Sequence, residues 1–493
     1  MNRKVLQKEW AFVLFAALLS AAALLFASEC SPLYPINQWY DANCFFTVGK
    51  GMLEGKIPYR DLYEQKGPYV YFLHALCALV DGESFLGVWL AEILSCFLFL
   101  LSVRKILALY NVGGGAAFSA LALIGLSVCF SFAFSTGDSV EEFALPLFSW
   151  MVYLALKRVR TDGKFRLYDF FLAGAGGGMV FWSKFTLVGF FVAWYLFFLY
   201  HAVRNRQWKI LLPSAGLVLC GALAATLPPF LYFAANGAVG DWLHVYLYDN
   251  LFVYDEGGNV FLRLGRMIVY ILGTLGANIH YNFFVLLGIV GFARIKDKAR
   301  AEERVFLLVV PAVTVFFLYV GGRGYRYYGL PLAVFAVFGY IFLAEKGFRI
   351  RKKKFRALVP AVALAFCCLF MGINGNYAYI FKPEEETVQY RFAEVIKEKE
   401  DATLLNYGFL DGGFYLAADK VPDFRYFCTL NIPLPEMREE TERYIEEGKA
   451  DFIVLKMYRK QTEELKSENY REVMRVSERY SLLQTTYILY ERV

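Results

Sequence analysis

Up to about Asn374 the apolar residues come in long unbroken blocks, and beyond it they alternate with polar residues in short stretches. A helix needs about 20 mostly apolar residues to cross a bilayer. Runs of that kind lie at 9–28, 84–103, 112–134, 140–156, 168–182, 185–200, 210–235, 266–293, 305–321, 329–345 and 357–374, which makes about eleven spans. The runs 168–182 and 185–200 are divided only by Ser183 and Lys184. Together they exceed one span, so they count as two. In the tail, Thr387–Lys399 has helical periodicity through Val388, Phe392, Val395 and Ile396. Segments 402–407, 451–457 and 482–490 read as strands, and 435–447 as a helix. The pattern predicts a polytopic α-helical membrane protein: a transmembrane domain over 1–374, with an outer loop at 29–83, and a small α/β domain over 375–493 outside the membrane.

Composition agrees. Of the 493 residues, 58% are hydrophobic and 19% charged, against roughly 45–50% and about 25% in soluble domains. Residues 1–28 are basic, then apolar, like a signal peptide, but the apolar part is of span length without a clear small-residue cleavage site, so it reads as a retained first helix. The net charge of +6 says little until it is placed. Arg3, Lys4 and Lys8 precede the first span. Alternate loops then hold Arg104 and Lys105; Lys157, Arg158, Arg160, Lys164 and Arg166; Arg204, Arg206 and Lys209; Arg294, Lys296, Lys298, Arg300 and Arg304; and Lys346, Arg349, Arg351, Lys352, Lys353, Lys354 and Arg356. The opposite loops are sparse: 135–139 has no basic residue, 183–184 has Lys184 and 236–265 has Arg263. Basic loops stay cytoplasmic, which predicts a plasma-membrane protein with its N-terminus inside and its C-terminal domain outside. Those loops set topology and touch anionic lipid, and no nucleic-acid partner is expected. The nine cysteines have no metal spacing. Cys30 and Cys44 flank one outer loop and would pair in an oxidising space, or remain buried thiols.

Polar residues gather at the outer mouths of the spans. Asp41 opens an amphipathic stretch with Cys44, Phe45, Val48 and Met52 on one face, the pattern of a helix lying in the interface plane. A carboxylate there suits the helix dipole or caps the helix. Asp138, Glu141 and Glu142 fall within five residues at the start of a span. Ser139 and Glu142 have capping-box spacing, but three acids exceed the needs of one cap, and acids at membrane depth are functional candidates. Gly321-Gly322-Arg323-Gly324-Tyr325-Arg326-Tyr327-Tyr328 offers guanidinium forks that match phosphate. It also fits an aromatic belt with snorkelling arginines. Lys66 and Lys184 add outer cations of the kind that also anchor spans at the interface.

The order of these features resembles the C-type superfamily of integral membrane glycosyltransferases, in particular the bacterial protein-mannosyltransferase and aminoarabinose-transferase branch. The residues that carry the resemblance are Asp41 soon after the first span, Gly55-Lys56-Ile57-Pro58-Tyr59-Arg60-Asp61, Lys66-Gly67-Pro68, the acidic second outer loop, Gly174 to Lys184, and Tyr327-Tyr328-Gly329-Leu330-Pro331. Gly67 stands where the family pattern has a first proline, and the last motif lacks the family histidine. The resemblance implies sugar transfer from a polyprenyl-phosphate donor to an acceptor hydroxyl of an envelope glycan, lipid or protein, with inversion. Asp41 would be the base and Glu141 or Glu142 the second acid. Lys66, Arg323 and Arg326 would hold the donor phosphate, helped by Lys184, Tyr327 and Asp138. No metal and no cofactor is expected. Two other readings are a flippase for lipid-linked sugars, which would place polar residues inside broken spans, and an O-antigen-ligase-like enzyme that depends on late outer-loop arginines.

Overall fold

The computed structural model describes residues 3–161, 163–254, 259–295, 300–347, 353–458, 465–480 and 483–493. The helices in chain order are α1 (Arg3–Ala27), α2 (Tyr40–Leu53), α3 (Pro68–Val80), α4 (Leu86–Leu109), α5 (Gly114–Cys129), α6 (Val140–Thr161), α7 (Leu167–Phe181), α8 (Gly189–Arg204), α9 (Leu211–Ala235) and α10 (Val239–Leu243). A π-helical stretch, His244–Val253, follows. Then come α11 (Val260–Ala277), α12 (Ile279–Ala293), α13 (Ala301–Tyr319), α14 (Leu330–Ala333), α15 (Val337–Glu345), α16 (Lys353–Asn374), α17 (Val388–Lys397), α18 (Phe414–Ala418) and α19 (Pro435–Glu446). The strands are β1 (Leu404–Tyr407), β2 (Phe452–Tyr458), β3 (Tyr470–Tyr480) and β4 (Leu483–Arg492).

The chain is a multi-span membrane protein. Among the described residues six helical segments are long and apolar enough to cross a bilayer: Glu9–Ala27, Leu86–Leu109, Phe185–Arg204, Trp208–Ala235, Val260–Ala277 and Arg326–Glu345. Shorter apolar helices cover Pro68–Val80, Gly114–Cys129, Leu167–Phe181, Ile279–Ala293 and Leu358–Asn374. The run 266–293, expected as one span, is two helices broken at Asn278, whose backbone leaves helical geometry. The basic residues Lys296, Lys298, Arg349, Arg351 and Lys352 lie outside the described residues, as do the side chains of Arg3, Lys4, Lys8, Lys353, Lys354 and Arg356.

Contacts divide the chain into two compact units. The first holds Met1–Ser28, Leu90–Pro228 and Gly257–Asn374. Two of its basic residues pair with acids. Buried Arg158 grips Asp169 with two parallel bonds of 2.7 and 2.8 Å, and Arg160 meets Glu303 at 2.7 Å. The glycines of α7 are there for packing. A side chain at Gly174 would come within 2.0 Å of the Val218 carbonyl, and one at Gly221 within 2.2 Å of the Phe171 carbonyl. Small residues let α7 and α9 cross at backbone distance, as helices in membranes do.

The second unit holds Glu29–Trp89, Pro229–Glu256 and Gly375–Val493. Its sheet runs β1-β2-β4-β3, with β1 parallel to β2 and the other pairs antiparallel. Leu405, Ile453, Leu455 and Ile488 form its core, joined by Ile445 of α19. The C-terminal elements lie where periodicity placed them, with residue 482 outside the described set. β3 has no counterpart in the sequence reading. It is an edge strand of alternating charge (Arg471, Glu472, Arg475, Glu478), and charge on an edge discourages further pairing while erasing the apolar pattern. The expected interfacial helix is α2, but it does not bury one face alone. Every residue from Ala42 to Gly49 is buried, because α3 covers one side and the C-terminal segment the other. Asn43, Thr47 and Gly49 look solvent-facing in sequence but meet protein instead.

Candidate active site

The segment 54–67 carries the chain from the end of α2 back to its start. Its bend needs left-handed backbone at Gly55 (φ 83°) and at Tyr59 (φ 72°), an unfavourable conformation for an aromatic residue. Tyr59 is held there by its surroundings. Its amide donates to the Leu62 carbonyl (2.7 Å), its hydroxyl to the Lys66 carbonyl (2.7 Å), and its ring packs on Tyr71 and Phe233. Asp61 fastens the turn by accepting from the Ile57 amide at 2.8 Å. Its carboxyl is held below the usual range, chiefly by hydrogen bonds from Arg60.

The return brings Lys66 to Asp41, Nζ to Oδ2 at 3.3 Å, with about a fifth of each side chain exposed. Asp41 is not a cap: Trp39 occupies the N-cap position, and no side chain caps α2. Lys66 also lies 3.9 Å from Glu64 and 5.0 Å from the centre of the Phe45 ring. Glu64, absent from the sequence candidates, is buried. It accepts from the Tyr71 hydroxyl and, at 2.9 Å, from the Lys66 amide. One cation is thus shared by two carboxylates, one fixed and one accessible.

The second acidic loop folds differently. Ser135, Gly137 and Asp138 all have positive φ, and a side chain at Gly137 would come within 2.2 Å of Glu92. The loop therefore closes over Glu92 of α4, which accepts from the Asp138 amide at 2.8 Å. Ser139 caps α6 through the Glu142 amide (3.1 Å), while neither carboxylate oxygen of Glu142 has a hydrogen-bond partner among the described residues. Glu92, Asp138 and Glu142 are all buried. Glu92 was overlooked in the sequence, although a lone carboxylate within a 24-residue apolar helix is itself a signal.

Glu141 takes a different partner. Lys184 reaches it at 2.6 Å and stands over the rings of Tyr327 (4.1 Å) and Tyr328 (4.5 Å). Lys184, Glu141 and Tyr327 thus form one group, in which the lysine locks the tyrosine loop to α6. Gly324 lets that loop pass Tyr270, since a side chain there would come within 2.3 Å of the ring. Arg326 is exposed beside Phe132 (5.7 Å), and Arg323 is half-buried.

Asp41, Lys66 and Glu64 belong to the second unit; Glu141, Lys184, Tyr327, Arg323, Arg326, Asp138 and Glu142 belong to the first. Cys44 does not meet Cys30. Its sulfur lies 3.8 Å from that of Cys428, and Cys30 accepts from Asn37. A pairing of Cys30 with Cys44 fails because α2 turns Cys44 toward the C-terminal segment. Among the described residues there is no group of three or more His, Cys, Asp or Glu side chains placed to hold a metal ion.

In fold, as a multi-span helical chain with a small mixed sheet, the protein is similar to a membrane protein of known structure. The particular likeness is to ArnT from Cupriavidus metallidurans. The structure of ArnT bound to undecaprenyl phosphate matches with a TM-score of 0.58 at 12% identity, over 96% of this chain and 97% of that one. The apo form matches with the same TM-score at 11% identity. The Archaeoglobus fulgidus oligosaccharyltransferase, in complex with zinc and sulfate, has a TM-score of 0.49 at 14% identity, over 89% of this chain and 67% of that one. No family model matches the chain, and no curated protein matches its sequence.

Proposed function

We propose that the protein transfers a sugar from a polyprenyl-phosphate donor to an acceptor hydroxyl at the outer face of the plasma membrane, with the N-terminus inside and the C-terminal domain outside. The observation that carries this reading is the end-to-end likeness to ArnT, a protein solved with undecaprenyl phosphate bound, in a chain whose first loop pairs an accessible carboxylate with a lysine. Asp41 is the base. It takes the proton of the acceptor hydroxyl as the acceptor oxygen bonds to the anomeric carbon. The bond from that carbon to the phosphate oxygen breaks on the opposite face, which inverts the centre and releases polyprenyl phosphate. Lys66 attracts that phosphate and steadies its growing charge. As the phosphate draws the ammonium away, Asp41 is left free to accept a proton. Glu64 anchors the lysine's backbone throughout. Arg323 and Arg326 supply further donors to the phosphate. Glu141, held by Lys184, or Glu142 orients acceptor or sugar, with Tyr327 and Asp138 lining the donor's path. No metal or cofactor is assigned a part.

The test is release of polyprenyl phosphate by the purified protein, offered a panel of polyprenyl-phosphate hexoses and pentoses with envelope extract as acceptor. Turnover that collapses in Asp41→Asn supports the reading. Turnover indifferent to Asp41, or movement of lipid-linked sugar across vesicles without bond cleavage, rules it out.

A further inference from the structure

In a sheet with parallel strands, ligands bind beyond the carboxyl ends of those strands. The parallel pair here is β1 and β2, and the loop leaving β1 is Gly408–Gly413. That position is filled from within, by α2. Asp411 in this loop is fully buried. Its Oδ2 accepts from the Thr47 hydroxyl of α2 at 2.6 Å, and its Oδ1 from Asn406 (3.0 Å) and from the Gly413 amide (2.9 Å). Gly413 lies so near α2 that a side chain there would come within 2.4 Å of Ile36 and 2.8 Å of Asn43. Asn43 in turn donates to the carbonyls of Asn37 and Trp39, which fixes the first turn of the helix. Further along the edge, Lys456 of β2 donates to the hydroxyl of Tyr40, which lies 2.9 Å from that of Tyr487. Tyr40 is the residue before Asp41, and Thr47 lies nearly two turns after it.

We propose that the ligand edge of the C-terminal sheet is a positioning device for α2, in which Asp411, acting through Thr47, sets the place of Asp41. Asp411 is a positioning residue: it touches the helix that carries the base. This rests on the reading of Asp41 as base. At this edge α2 occupies the place that a ligand would take. The polar groups specify the arrangement closely. An asparagine at 411 satisfies the same set, its oxygen accepting from Asn406 and Gly413 and its amide donating to Thr47. An alanine leaves all three donors without an acceptor.

The experiment uses the full-length protein in nanodiscs, with two readouts on Asp411→Ala, Asp411→Asn and Thr47→Val. The first is hydrogen exchange of the α2 amides, which needs no activity. The second is kcat and KM for donor and acceptor. Asp411→Ala is expected to speed exchange across α2 by about tenfold and to lower kcat by roughly 10²-fold, the cost of a small misplacement, with both KM values within about twofold of wild type. Asp411→Asn should restore both readouts, and Thr47→Val should reproduce the loss if Asp411→Ala does not fold. Unchanged exchange or unchanged kcat overturns the proposal, as does an effect confined to acceptor KM. Faster exchange in the alanine variant, from a wild type that turns over no donor, would instead reject the reading of Asp41 as base.

Discussion

Each unit carries a lysine paired with a carboxylate at the start of a helix, and the two pairs differ in kind. Asp41 and Lys66 stand 3.3 Å apart, each about a fifth exposed. Glu141 and Lys184 stand 2.6 Å apart, at 1% and 11% exposure, with two tyrosine rings completing the lysine's shell. A loose, wet pair is worth little to stability, so its members are free to change partners. A tight, buried pair cannot lose one member without leaving a charge uncompensated. In the proposed reaction the first pair therefore suits proton transfer, and the second holds Glu141 in a fixed place.

The comparison can be broken from either side. The largest expected effect is that of Asp41→Asn, which should lower kcat by about 10²–10⁴-fold and leave the melting temperature in place. A fall in melting temperature with little change in kcat would exchange the roles of the two pairs. Next, Lys184→Met should cost about 3–5 kcal/mol of stability by stranding buried Glu141, and Lys184→Met/Glu141→Gln should recover most of it in thermal unfolding. Asp411 sharpens the picture through pH. Burial raises its carboxyl from 3.8 to about 6, against the hydrogen bonds from Thr47, Gly413 and Asn406. The folded protein therefore holds that proton more tightly than the unfolded chain. The stability it contributes is full below about 4, is lost as pH rises through about 6, and amounts to at most about 3 kcal/mol. Asp411→Asn should remove this step from the stability profile, and an unchanged profile would contradict the burial. Lys66→Gln should lower kcat/KM for donor by about tenfold, without unfolding the chain. The smallest effect is expected at exposed Arg326, where alanine should raise donor KM only a few-fold.

Much of the fold was legible because an apolar run of bilayer length is a strong, local signal. The break at Asn278 was not, since the residues on both sides are apolar and only backbone geometry divides them. β3 was hidden by the charges that protect a sheet edge. For the site, Asp41, Lys66, Glu141 and Lys184 stood out one by one as charges beside apolar runs. Their pairing across 25 and 43 positions is a product of the return loop and of helix packing. Glu64 carried no signal in a polar loop, and Asp411 sat in a segment without a motif. Both act through hydrogen bonds that only the folded chain brings together.

The second unit is drawn from three stretches of chain separated by all the intervening spans. α2 leaves the ribosome well before its supports, since the groups that seat Thr47 and Tyr40 stand at residues 411, 456 and 487, between 364 and 447 positions further along. Throughout synthesis and insertion, the helix with the proposed base is incomplete. A chain that stalls or is cut before residue 411 lacks the acceptor that holds Thr47, and the proposed base then stands on an unseated helix.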